Sequence, residues 1–523
     1  MDAELERNLE KAWNSTCRVL FGREIGPLSK YSGYLEEYLL PVAKRKSHLS
    51  GKEVIIARGD YPQSARFISE DELVPNRDYA ISINDMKDID SLSAALKEKL
   101  EYSGNRYLGN SAFVEKSDIV HDSQFVYGSS NIEQSSYICS SYMMRMGSKN
   151  VFGSGWTGNG EHLIRLVAGL NLHRCFESHF ISDSSDIYFS FNCDGCHDVM
   201  FSFGQKNRSY AIGNLQLPKD KYRTLKAKLL EEVVRELERE GKYPSLFDLS
   251  PQDAPAKPPK ISPHVPDVGD DMAPVEKGFA ATCAIMLKKS PGKLSRMEDW
   301  LAENTVHLDE VDTPFGTHTS LPTDFGIVSK MPKKRAVKIF ELFEIGKIAL
   351  DEKEIGSVKS IVKALGKIAY FTAEYWTGEN RNIVKTPLIL HSMNTYKGFE
   401  ATYSENAALT SFSLHSKFVY GCSRIVESQF SMKCYDSLYL NRCFELDSCN
   451  KCSDSYFCHN SEALQDCMFC FNMKGRRHNI GNTQLEKDAY AKAKDALVLQ
   501  MAGELSKTGR LKWNIYNIGA KNG

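Results

Sequence analysis

The sequence predicts an α+β chain made by tandem duplication, each half an α/β cap followed by a β-solenoid of twelve-residue repeats and closed by a C-terminal helix. Three observations predict it. A single offset of 266 to 268 residues superimposes the two halves, an apolar side chain recurs at every twelfth position late in each half, and a helical apolar stripe follows each repeat block.

The offset is visible from the first turn, where Thr16, Cys17, Gly26, Leu28, Ser29 and Leu35 match Thr282, Cys283, Gly292, Leu294, Ser295 and Leu301. It continues with Lys87, Ile89, Ser91 and Leu92 against Lys353, Ile355, Ser357 and Val358. From Arg174, Cys175, Phe176 and Glu177 against Arg442, Cys443, Phe444 and Glu445 it becomes 268 and runs ungapped to Ile212-Gly213-Asn214 and Ile480-Gly481-Asn482. The boundaries that follow are caps at 1–104 and 280–375, solenoids at 105–217 and 376–485, and closing helices at 218–250 and 486–523. Between the halves, 251–279 carries seven prolines among small polar residues up to Pro274 and reads as an extended linker.

Within the repeats, four-residue blocks set twelve apart read VFGS, LIRL, CFES, IYFS, VMFS, AIGN from Val151 and VYGC, SMKC, CFEL, SYFC, CMFC, NIGN from Val419. The second column is apolar throughout: Phe152, Ile164, Phe176, Tyr188, Met200 and Ile212, then Tyr420, Met432, Phe444, Tyr456, Met468 and Ile480. Stacked rungs need such a column, because each rung buries its inward side chain against its neighbours. The fourth column is mostly small, Ser154, Leu166, Ser178, Ser190 and Ser202 against Cys422, Cys434, Leu446, Cys458 and Cys470, and strand alternation places it with the second column on the interior face. The third column sets Arg165 beside Glu177 and Lys433 beside Glu445, an ion pair worth roughly 0.2 to 1 kcal/mol on a surface. Each closing helix puts a stripe on one face, Leu225, Leu229, Val233 and Leu237 in the first.

The third column continues as Phe189 and Phe201, matched by Phe457 and Phe469. These four rings are either covered by the closing helix or exposed as a patch that docks a protein partner. The cysteines also carry two readings. Cys449, Cys452, Cys467 and Cys470 have the C-x2-C-x14-C-x2-C spacing of a zinc or iron-sulfur site. Their counterparts are Ile181, Ser184, Val199 and Ser202, and a ligand set is not replaced by Ile and Val in a working twin, while Cys422, Cys434, Cys458 and Cys470 share the small inward column, where thiols act as compact hydrophobes. The leading expectation is therefore no cofactor, with zinc or an iron-sulfur cluster on the second-half thiols as the alternative.

Catalytic signatures are sparse. No G-x-S-x-G elbow, Walker A loop or H-E-x-x-H pair is present. Asp183, Asp186, Asp194 and Asp198 crowd one stretch as the acids of a carbohydrate-active β-helix would, but Asp also favours turns, and no catalytic residue is assigned. Lys plus Arg at 66 against Asp plus Glu at 67 gives no field toward nucleic acid or anionic lipid. There is no apolar run of about 18 residues to span a membrane and no signal-like start, so the fourteen cysteines are expected to be reduced.

The run Cys443 to Asn482, with its Cys-Asn-Lys-Cys step, strand-like repeats, Ile-Gly-Asn close and Lys-Asp-x-Tyr helix, resembles cysteine-rich repetitive hypothetical proteins of uncultured bacteria and their phages. That resemblance covers about 100 residues per half. It implies a virus-associated or assembly role and brings no activity with it. The expectation is a non-enzymatic structural or interaction protein, cytoplasmic or virion-associated, whose partners are protein subunits of a larger assembly.

Overall fold

Short parallel strands, mostly of four residues and with left-handed corner residues both within and between them, dominate the computed structural model, which describes residues 1–58, 60–79, 81–82, 86–145, 147–158, 160–169 and 173–520. The fold is mixed α/β, and its largest sheet is a curled parallel one. In the first stack of strands the ladder runs Val126, Ile138, Val151, Leu163, Cys175, Ile187, Val199, Ala211. Each step is twelve residues except the thirteen from Ile138 to Val151. A second ladder, Val120, Ile132, Met144, Thr157, runs along the opposite face. In the second stack Asn441–Asp447 pairs into both faces, so sixteen strands curl into one sheet.

Backbone geometry explains how twelve residues suffice. Tyr137, Ser140 and Met143 have φ of 58°, 49° and 57°, and a positive φ recurs at every third position through most of both stacks. Two extended residues and one left-handed corner make a side of three residues, and the residue after each corner points inward. Every third side chain is therefore interior: Ser117, Val120, Ser123, Val126, Ser129 and Ile132 are all buried. A non-glycine residue in the left-handed region is disfavoured, and a hydroxyl ladder offsets the cost. Ser135 N–H donates to Ser123 Oγ (3.0 Å), which donates to the His121 carbonyl (2.8 Å). The same bonds recur six residues on, from Ser141 N–H to Ser129 Oγ and on to the Tyr127 carbonyl, and in the second stack Cys422 takes the place of serine, accepting from Cys434 N–H at 3.4 Å.

This corner period corrects the expected interior. Ser154 and its column do face inward, but they do so with Val151, not with Phe152. Phe152, Ile164, Phe176 and Tyr188 face out of the stack and are buried under the helix Ala3–Phe21. Trp13 meets Phe152 at 5.3 Å and Phe21 meets Phe176 at 5.1 Å, both edge-on. Simple alternation fails because each third residue turns the chain. The helix Ala273–Leu287 covers the second stack likewise, with Phe279 at 5.1 Å from Tyr420.

The later part of the segment before each stack, beyond its covering helix, packs on the other stack. Residues 54–105 pack on the second stack, where Asn472 Nδ2 donates to Glu101 O (2.8 Å) and Asn482 Nδ2 to Arg77 O (3.0 Å). Residues 321–371 pack on the first, where Gln205 Nε2 donates to Gly346 O (2.7 Å) and Asn214 Nδ2 to Ile348 O (2.9 Å). Even the helix starts correspond: Ile89 N–H donates to Gln500 on the helix Lys487–Thr508, and Val358 N–H to Glu232 on the helix Lys219–Glu240. The connecting strap is shorter than 251–279, because the helix begins at Ala273. No helix among the described residues is long and apolar enough to cross a membrane.

Gly204 shows how closely an exchanged segment approaches. Its φ is 62°, and a Cβ there would stand 2.6 Å from the Leu342 carbonyl, whereas at Gly475, also at 62°, a Cβ would meet nothing within 4 Å. Gly204→Ala is expected to cost about 3 kcal/mol in urea unfolding and Gly475→Ala about 1 kcal/mol. Equal losses would mean that the approach of 339–345 to the first stack is loose.

Candidate functional site

An apolar cavity of about 190 Å3 lies on the seam between the two stacks. Left-handed corners aim its aromatic walls. Met143, Trp156, Ala168 and Phe180 are successive members of one corner column of the first stack, with φ of 57°, 62°, 79° and 54°, and Phe412 at 59° projects from the second. Because a corner side chain leaves the stack, these residues meet across the seam rather than filling an interior. Trp156 stands 5.1 Å from Phe412 and 6.2 Å from Phe180, at 86° and 83° to them, with Phe325 and Phe399 behind. Leu388, Leu390 and Leu414 complete the apolar wall.

The polar groups sit at defined points. Tyr375 Oη donates to Ser182 Oγ (3.1 Å), which donates to Asp194 Oδ1 (2.8 Å). Glu400 accepts from Thr402 Oγ1 at 3.1 Å, and both residues line the cavity. Burial raises the Tyr375 phenol above its ordinary range, so it stays protonated as a donor. No described Lys or Arg lines the cavity. Such a pocket, mostly apolar with a few convergent polar groups, is the usual form of a small-molecule site.

The thiols lie elsewhere. All fourteen cysteines are buried and unbridged. Cys449 Sγ donates to Asp447 O (3.4 Å), Cys452 to Asn450 O (3.3 Å), Cys467 to Gln465 O (3.4 Å) and Cys470 to Met468 O (3.4 Å). Burial pushes the Cys449 and Cys470 thiols well up, which disfavours the thiolate a metal requires. A hydrogen bond from Cys449 draws Cys452 down, yet its sulfur also bonds backbone. Among the described residues no group of three or more His, Cys, Asp or Glu side chains could hold a metal ion, and the donor set does not fit zinc or an iron-sulfur cluster. In the native protein we expect essentially no reaction of thiols with Ellman's reagent over minutes, and reaction of all fourteen after denaturation. Rapid labelling of several under native conditions would show that the interior opens.

Phe189, Phe201, Phe457 and Phe469 do not form a surface. All four are fully buried, as stacked pairs at 4.9 and 5.0 Å. The chain beyond the first closing helix folds back over them, with Tyr243 at 5.4 Å from Phe189, and Leu511 and Ile515 share the core of Phe457 and Phe469. The exposed-patch expectation is corrected on that ground. The acids are also occupied away from the cavity: Asp186 pairs with Arg174 (2.6 Å) and Asp198 with Lys226 (3.2 Å), as Asp454 does with Arg442 (2.6 Å) and Asp466 with Lys494 (3.0 Å). The Asp198–Lys226 and Asp466–Lys494 pairs anchor the closing helices to the stacks, and the other two join neighbouring rungs. Asp183 and Asp194 stand in the first stack, Asp194 behind Ser182 at the cavity edge.

Ser103, His459 and Asp447 resemble a nucleophile relay, and no motif or spacing announces it because Ser103 lies 356 residues from His459. Asp447 Oδ2 lies 2.8 Å from His459 Nδ1, and Ser103 Oγ lies 3.4 Å from Nε2. The Ser103 backbone N–H, at 3.1 Å, already occupies the Nε2 lone pair, so the ring cannot take the hydroxyl proton. Burial holds His459 below its ordinary value and neutral. Burial also opposes ionisation of Asp447, but hydrogen bonds from His459 and Tyr61 keep its carboxyl low. All three residues are buried, and the group clasps 54–105 to the second stack.

No family model, no curated protein and no solved structure matches the chain.

Proposed function

We propose that the chain is a non-enzymatic binding and interaction protein: a tandem duplication whose twelve-residue solenoids, locked by exchanged caps, frame one ligand cavity. The observation that carries this reading is the cavity itself, which takes Trp156 and Phe180 from one stack and Leu388 and Phe412 from the other and so exists only in the joined molecule. Rigid corners preset its walls, which lowers the ordering cost of binding. The thiols are buried and the acids are paired, whereas at the seam convergent side chains face a space.

The test is a thermal-shift screen of the full chain with small aromatic and aliphatic compounds. A ligand present at a hundred times its Kd adds about 2.7 kcal/mol, or a rise of about 3 °C in Tm for a chain of this size. That rise is expected to be lost in Phe412→Ser if the variant remains folded by circular dichroism. A panel spanning single rings to short alkyl chains that gives no shift ends the reading.

A further inference from the structure

We propose that the first stack takes an extended peptide of a partner protein as an added rung on its opening strand, with an apolar side chain over Val114, an aromatic ring on Phe113 and a carboxylate beside Lys116. The two stacks begin differently. Five rungs back from Arg174 the corner column reaches Phe113, and five back from Arg442 it reaches Asn382. Phe113 lies in the strand Ala112–Glu115 and Asn382 in the strand Arg381–Val384, each at the end of its ladder. In the second stack the strap runs along that end strand. Asn382 N–H donates to the Val268 carbonyl, Ile383 N–H to the Gly269 carbonyl (3.1 Å) and Asn382 Nδ2 to the Asp271 carbonyl (2.7 Å). Gly269, at φ 77°, supplies a left-handed corner beside Asn382, and Val268 packs on the small core of Ile383, Ile389 and Ala401. The strap is thus a rung supplied from elsewhere in the sequence.

The end strand of the first stack has no such cover among the described residues. Its ladder partner is Gln124–Tyr127 on the inner side, and the chain start bonds the Glu115 carboxylate, through Asp2 N–H at 2.6 Å. By the geometry of Asn382 and Ile383, the Phe113 and Val114 N–H groups face out of the stack, where an extended main chain can present carbonyls to them. Burial records the difference. Asn382 is 7% exposed and Phe113 40%, and Val114 is half-buried where Ile383 is buried. Side chains define the guest further. Phe113 stacks on Phe125 at 4.9 Å and Phe125 on Tyr137 at 5.1 Å, within 5° of parallel, and no described ring covers the other face of Phe113. An aromatic residue at the guest's own corner continues that ladder. Lys385 pairs with Glu310 at 2.7 Å, whereas Lys116, at the same place in the first stack, is exposed and forms no ion pair among the described residues, its ammonium lying 5.4 Å from the Tyr127 ring. An acidic residue on the guest fits there, as Asp267 and Asp270 flank Val268 and Gly269 in the strap.

The test uses the full chain and two synthetic peptides, one with the strap sequence from His264 to Asp271 and one with Gly269→Phe in that sequence. The strap's own place is filled within the molecule, so a free peptide competes poorly for it. The Gly269→Phe peptide is expected to slow hydrogen–deuterium exchange across Ser111–Lys116 about ten-fold and to leave Arg381–Val384 unchanged. By fluorescence anisotropy it is expected to bind about five-fold more tightly than the strap peptide, a preference that Phe113→Ser abolishes. The two-peptide comparison on the parent protein stands even if that variant does not fold. Equal affinities overturn the aromatic contact with Phe113. No protection of Ser111–Lys116 by either peptide at millimolar concentration overturns the added rung, as does protection confined to Arg381–Val384. Concentration-dependent protection of Ser111–Lys116 in the protein alone, with the mass of a dimer, gives the strand to a second copy of the chain and overturns the partner peptide.

Discussion

A chain cut once between Lys260 and Ile261 is expected to remain a single particle. The strap from Pro251 to Asp271 forms no helix or strand and is largely exposed, so a specific protease site inserted there will be accessible. Its two products do not correspond to two independent bodies, because 54–105 belongs to the core of the second stack and 321–371 to that of the first. Separating them would strip Tyr61 from Asp447, Ser103 from His459 and Tyr102 from the Ile515 and Tyr516 carbonyls on one side. On the other it would expose Phe371, packed at 5.0 Å from Phe191 and 5.7 Å from Phe203. Each buried aromatic lost to water costs on the order of 2 kcal/mol, and each stranded buried polar group about as much again. The fragments should co-elute in size-exclusion chromatography at the position of the intact chain and separate only in denaturant. Two native peaks of half the size would overturn the exchanged arrangement.

Much of this architecture is legible in the sequence, and the parts that are not have identifiable physical causes. The spacing of twelve is visible because Phe152, Ile164 and Phe176 repeat, and the parallel strands pair at that spacing. The direction of the side chains is not visible. Alternation assumes extended residues, while a corner such as Arg165 at φ 55° is an ordinary residue in a conformation that composition does not announce. Phe189 and Phe201 were open to two readings because burial depends on Tyr243, which returns from beyond a helix. The exchange of caps leaves no trace, since segments that match at an offset of 266 fit either stack equally well on pattern alone. The cavity is hidden for a related reason. Trp156 corresponds to Arg424 at an offset of 268 and Phe412 to Met144, so the two rings that meet at 5.1 Å belong to no shared motif.

Arg165→Leu should be among the most damaging single substitutions, and its cost should depend on pH. The guanidinium is fully buried, stacked 4.0 Å from the ring centres of both Tyr34 and Tyr38, 3.1 Å from Glu177 and 2.7 Å from Glu37. Tyr34 and Tyr38 in turn donate their hydroxyls to Glu177 at 2.5 and 2.7 Å. Removing the arginine leaves a buried carboxylate without its counter-charge, a loss of about 3 to 5 kcal/mol near pH 8. Burial, outweighing Arg165 and the two tyrosines, has pushed Glu177 up to about 7. The folded state therefore holds a proton that the unfolded chain releases near its ordinary value of 4.5. The stabilisation from this group is full below pH 4.5, and roughly 3 kcal/mol of it is lost as pH rises through 7. Glu177→Gln removes that slope, so the stability of the variant relative to the parent should climb by about this amount between pH 5 and 8 in urea titrations. The cost of Arg165→Leu should move the opposite way and shrink toward pH 5, where the stranded carboxyl is protonated. His179 nearby, stacked 4.6 Å from Phe247 and lowered by burial to about 3, contributes stability that is lost as pH falls below 6.5. His179→Phe should therefore gain on the parent only on the acid side, which separates its effect from that of Glu177. A pH-independent difference for Glu177→Gln would mean that the carboxyl is ionised throughout this range, and the buried cluster would then be a true ion pair with no proton to release.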